Sequence, residues 1–112
     1  MTIQYKNETF DLTTTNITTV LTISTSAVAI VKMVQAVHDT ASAVDTDLFI
    51  RKNGAGADVQ ISHESLNKET VDMLKNTLNL EAGDAIKMQA STADEITGII
   101  SYALIDRSQQ NG

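Results

Sequence analysis

Cysteine, proline and tryptophan are missing from this 112-residue chain, and its aromatic side chains are only two Tyr and two Phe. Without Cys there is no disulfide framework, no thiolate metal site and no cysteine nucleophile. Without Pro, an exposed strand edge has to be blunted by charged side chains instead. Basic residues are scarce: eight Lys and Arg stand against fourteen Asp and Glu, a net charge of −6. Phosphate-binding surfaces need clustered Lys and Arg, so this balance argues against nucleic acid and against anionic membranes as partners. A membrane-spanning helix needs about 18 consecutive apolar residues, and no such run occurs. Residues 1–6 lack the basic-then-apolar plan of a secretory signal. The expectation is one soluble, acidic domain, long enough to bury a core without staples.

What the chain does contain is β-branched. Thr occupies fifteen positions, often beside Val and Ile. Such side chains are stiff at χ1 and suit a pleated sheet. Residues 17–25 alternate Ile17, Leu21 and Ile23 with Thr18, Thr22 and Ser24, interrupted where Val20 adjoins Leu21. Residues 27–38 are the most apolar stretch. A helix would gather Ala27, Ile30, Val31, Val34 and Val37 on one face. A strand would divide Val28, Ile30, Val34 and Ala36 from Ala29, Val31, Met33 and Val37. The Val and Ile content favours a central strand covered on both faces.

Residues 44–52 and 58–63 alternate cleanly on either side of Asn53 and Gly54, a hairpin signal because both turn residues tolerate positive φ. Residues 64–80 read as irregular, with two competing local signals: a short helix near 67–76 that Asn67 could cap, and a short strand in which Val71 and Met73 alternate. Ile86, Met88 and Ala90 begin another strand. The last strand sets Ile96, Gly98, Ile100, Tyr102 and Leu104 against Thr97, Ile99, Ser101, Ala103 and Ile105. About seven short strands at this spacing predict an all-β fold, an antiparallel β-sandwich of jelly-roll or Ig-like type. Its domain spans 16–106, preceded by an arm or loosely ordered segment over 1–15 and followed by a polar tail over 107–112.

Sites of chemistry are hard to find. His38 and His63 would need Asp39 or Glu64 to complete a metal site, and neither the spacing nor Cys supports one. The paired acids Asp45 and Asp47 face outward with the strand period, and Asp94 and Glu95 lie in a turn. General acid–base work needs a buried carboxyl, so outward acids read as solubility and edge protection. Gly54 and Gly56 fit a hairpin tip better than a phosphate loop, and no nucleophile elbow occurs. No catalytic, cofactor or metal residues are expected, and no enzymatic activity. Both 27–37 and 96–105 are apolar on two faces, more than a lone sandwich needs, which points to burial against another subunit or another part of the chain, the former a hint of oligomerisation.

Several pieces combine into a recognisable layout. A Thr-rich strand over 17–23 precedes Ser26, Ala27, Val28, Ala29, Ile30 and Val31. The strand over 44–51 ends in Asn53 and Gly54. Leu80, Gly83, Asp84 and Ile86 form a turn, and Ile99, Ile100, Tyr102 and Leu104 run to Asp106. This layout resembles small β-sandwich virion proteins of tailed bacteriophages, over roughly residues 16–106. The region 64–78 departs from it by its richness in helix formers. The resemblance implies a structural, non-enzymatic component of the capsid exterior, neck or tail. It implies a repeated, self-associating block that meets other virion proteins after assembly in the host cytoplasm. In the turn, Gly83 can adopt positive φ and let Asp84 bond backbone amides, a structural role. A second reading is a carbohydrate- or host-surface-binding module of a tail fibre, for which the chain offers only Tyr5, Phe10, Phe49 and Tyr102 as stacking groups.

Overall fold

The computed structural model describes residues 2–54 and 56–106, and the polar tail expected over 107–112 lies outside them. Nine strands form among these residues: β1 (Thr2–Leu12), β2 (Thr18–Thr22), β3 (Ala27–His38), β4 (Val44–Arg51), β5 (Val59–Leu66), β6 (Glu69–Asp72), β7 (Leu78–Leu80), β8 (Ala85–Ala90) and β9 (Ile96–Asp106). They make two antiparallel sheets packed as a sandwich. Sheet A runs β1-β9-β3-β6, with β7 also paired to β3, and sheet B runs β2-β8-β4-β5. Because β6 and β7 line up along the same edge of β3, they share one strand position. The pairing is then nested: β1 with β9, β2 with β8, β3 with β6 and β7, β4 with β5. Nested pairing of eight positions in two sheets is the jelly-roll winding, one of the two arrangements expected.

The core fills the space between the sheets. Val31, Val34, Ala36, Ile96 and Ile100 come from sheet A, and Val44, Leu48, Ile86 and Met88 from sheet B. Each is an inward position of a period-two strand. The expectation that β3 is covered on both faces is corrected. Its inward side chains are Ala27, Ala29, Val31, Val34, Ala36 and His38, whereas Ile30 and Lys32 are exposed. The register against β9 shifts between Val31 and Met33, so Lys32 is the extra residue of a bulge. That bulge moves Val34 onto the core face, where strict alternation from Val31 would have turned it outward. The Val20 interruption has the same cause, a register shift between Thr19 and Leu21 of β2.

Of the two signals in 67–76 the helix is corrected and the short strand through Val71 forms, as β6. Thr70 and Val71 pair with Val37 and Ala36, and Asp72 Oδ1 accepts the amides of Val34 (3.2 Å) and Leu74 (3.0 Å). The Met73 amide donates to the Val34 carbonyl at 2.7 Å. Long-range pairing thus satisfies the backbone groups a helix would have bonded locally, and propensity yields to tertiary context. The 1–15 segment supplies β1, which pairs with β9 from Thr2 opposite Asp106 to Leu12 opposite Ile96. Phe10 and Leu12 reach the core, while residues 3–9 are exposed.

Candidate functional site

The two outer faces differ in chemistry. On sheet A the side chains that point away from the core line up in rows across three strands. Register places Ile3 opposite Ile105 and Ile105 opposite Val28. The next row is Tyr5, Ala103 and Ile30. Ile3 is 55% exposed, Tyr5 78% and Ile30 36%. Lys32 covers one side of this surface, its Nζ 5.2 Å from the centroid of the Tyr5 ring, at cation–π distance. Ala103 is itself buried between Tyr5 and Ile30, so the exposed apolar surface consists of Ile3, Tyr5 and Ile30 with the half-buried Val28 and Ile105, a patch of the kind that marks association surfaces.

Sheet B presents polar groups instead. Thr15, Asp45, Asp47, His63, Gln89, Ala90 and Ser91 line an open hollow of about 440 Å³. The cross-strand pair Asp47 and His63 meets at 2.5 Å, Oδ1 to Nδ1. The hydrogen bond to Asp47 holds the His63 imidazole above its usual value of 6.5. The Asp45 backbone amide donates to Ser91 Oγ at 2.9 Å, which ties β4 to the end of β8. Gln89 Nε2 donates to the Thr15 carbonyl at 3.0 Å. Nearer the other end of β4, Asp58 stands between Arg51 (3.6 Å) and Lys87 (3.4 Å). These contacts join strands and loops in a network of fixed polar partners.

The histidines occupy different sheets. His38 is buried at the end of β3, with ring nitrogens 3.2 Å from the Glu95 carbonyl and 2.5 Å from the Ser42 carbonyl. Thr40 Oγ1 donates to Glu95 Oε2 at 2.7 Å beside it. His38 therefore fastens the loops on either side of β3 and β9. Among the described residues no group of three or more His, Asp or Glu is placed to hold a metal ion. Of the four aromatic side chains, Phe10, Phe49 and Tyr102 are buried and Tyr5 alone is exposed. The acids expected to face outward on β4 do so, Asp45 fully and Asp47 in part.

The turn expected to be structural has the densest bonding. Asp84 is 1% exposed. Its carboxylate accepts Lys52 Nζ at 2.5 Å, the Asn53 amide at 2.9 Å and the Glu81 amide at 2.8 Å. Burial pushes this carboxyl up, but the Lys52 bond and the two amides outweigh it, so it lies below the ordinary 3.8. Gly83, at φ 82°, turns the chain so that its amide donates to the Ile23 carbonyl at 3.0 Å. The sequence placed Asp84 in its own turn. The links to Lys52 and Asn53, in a hairpin thirty residues away, had as their only local signal the strength of the Gly-Asp pair itself.

No family model matches the chain, and no curated protein matches it in sequence. Solved structures match over most of the chain at low sequence identity. A capsid structure of Helicobacter pylori bacteriophage KHP30 matches with a TM-score of 0.59 at 9% identity, covering 96% of this chain and 90% of that one. A disulfide-linked pilus protein of Bacillus endospore appendages gives 0.49 at 14% identity, covering 95% and 88%. The TNF protein Eiger of S. frugiperda gives 0.46 at 10% identity, covering 96% of each. The phage capsid match supports the sandwich architecture along almost the whole length of both chains.

Proposed function

We propose that this chain is a structural, non-enzymatic component of a bacteriophage virion, a repeated oligomeric building block of the capsid exterior, neck or tail. The observation that carries this reading is the pair of outward apolar rows on sheet A, Ile3 with Ile105 and Val28, and Tyr5 with Ala103 and Ile30. A monomer gains nothing from exposing Ile3, Tyr5 and Ile30, whereas a neighbouring subunit would bury them at roughly 25 cal/mol per Å². The likeness to a phage capsid structure supports the particle as the setting. Further copies of the chain and other virion proteins are the partners. Nucleic acid and membrane are disfavoured by the charge of −6.

The test is the solution mass of the purified chain by light scattering after size exclusion. A defined closed oligomer supports the reading, and a 12.1 kDa monomer at every concentration counts against self-assembly. Recovery of the chain in gradient-purified particles checks its location.

A further inference from the structure

Among the described residues the longest edge strand of the sandwich is β1. Its eleven residues have β9 as their sheet partner on one side, and residues 3–9 are exposed. The other edge strands are shorter: eight residues in β5, five in β2, four in β6 and three in β7. A long edge offers a row of backbone donors and acceptors to another strand unless something blunts it. Proline is absent from the chain. Bulges twist the pairings of β2, β3 and β4, but the β1–β9 register runs from end to end without a shift. Over residues 3–9 the edge is regular, and the charged side chains on it are Lys6 and Glu8.

The charges along β1 are self-complementary. Lys6 and Glu8 flank Asn7 and lie on the same face, opposite Tyr102 and Ile100 of β9. We propose that β1 pairs antiparallel with β1 of a second copy of this chain, about a two-fold axis at Asn7, fusing the two sheets A into one. In that register Lys6 of each copy lies opposite Glu8 of the other, twice over. On the other face Tyr5 lies opposite Thr9, a pairing of aromatic with β-branched side chain that sheets favour. A two-fold contact of this kind is self-complementary and closed. It deepens the proposed function and rests on self-association being real: the edge supplies the contact that joins neighbouring units.

Charge exchange tests it, with sedimentation as the readout. Lys6→Glu places Glu opposite Glu in a pair of identical copies, and Glu8→Lys places Lys opposite Lys. Each variant alone should associate about tenfold more weakly than the wild type. An equimolar mixture restores Glu–Lys at both contacts and should form a heterodimer at the wild-type affinity. Because the chain has no Cys, Asn7→Cys provides an independent check. Under mild oxidation it should cross-link to a covalent dimer, and Asn79→Cys on β7, at the far edge of sheet A, should not.

The inference is overturned if the oligomer survives both charge variants and Asn7→Cys cross-links no faster than Asn79→Cys. Self-association would then stand, through another surface. It is overturned too if replacing Lys6 and Glu8 by Ala strengthens association, because the charges would be guards that keep edges apart. A wild-type monomer at every concentration removes this contact and the self-assembly reading together.

Discussion

Asp84 Oδ1 accepts the backbone amide of Asn53 at 2.9 Å, joining the turn before β8 to the hairpin after β4. Beside it, a Cβ on Gly83 would stand 2.5 Å from Asn53 Cγ. The two turns thus interlock by a bond and by an absence of side chain. Sheet B gains a fixed end from this, since β4 and β8 are neighbours in it.

Replacing Asp84 by Ala should cost about 3 kcal/mol, because two amides and the Lys52 ammonium lose a shared acceptor. The pH dependence follows from the sign of the shift. The folded carboxyl titrates below 3.8, where the unfolded one titrates. Its contribution is complete above that value and disappears as pH falls through the folded one. Urea midpoints measured from about pH 6 to pH 2 should fall more steeply for the wild type than for Asp84→Asn.

Gly98 makes room for Phe10. A Cβ at this position of β9 would lie 2.0 Å from the Gln35 carbonyl oxygen and 2.4 Å from Phe10 Cζ. Gly98→Ala should destabilise by about 3 kcal/mol, the upper end for overpacking, because one of the obstructing atoms is backbone. Adding Phe10→Leu should recover only part of the loss, since the Gln35 oxygen remains. Denaturant curves of the two single variants and the double variant measure that share.

Ile100 tests the inward facing of β9. It is 0% exposed, between Glu8 of β1 and Val34 of β3 in the register. Ile100→Asp buries a charge without a partner, which should exceed about 4 kcal/mol and abolish the fold. A soluble, cooperatively melting Ile100→Asp protein would show that this side chain does not sit in the core.

What the sequence made legible was local. β9 follows period two, as does β4 up to Leu48, where its register against β5 shifts, and Asn53 with Gly54 marks the turn, Gly54 adopting φ 81°. The bulges are where pattern reading fails. From Val31 onward the strand count is off by one because Lys32 is extra, so the predicted faces of Val34 and Met33 are exchanged. Period two carries no record of an inserted residue until the partner strand is known. The 67–76 stretch misleads for a related reason. Its helix formers are outbid by Gln35 to His38 of β3, a partner more than thirty positions earlier in the chain. The surplus apolar faces were visible as composition, but only the registers of β1 and β3 on β9 gather Ile3, Tyr5, Val28 and Ile30 into one surface. The polar side is less legible still, since Asp47 and His63 become partners only through the β4–β5 register.

That last pair has a solution signature. His63 is held above 6.5, first by its hydrogen bond to Asp47 and then by the charges of Asp47, Asp45 and Glu64. Because the folded value exceeds the unfolded one, the pair contributes fully below 6.5 and fades as pH rises through the folded value. Proton NMR should therefore find the His63 ring titrating above 6.5. Asp47→Asn removes the principal cause and should bring the midpoint down towards 6.5, with Asp45 and Glu64 leaving a remnant. High salt should shrink the Coulomb share of the shift in the wild type, since both side chains reach solvent. A wild-type midpoint at or below 6.5 would mean that the Asp47 contact does not persist in solution.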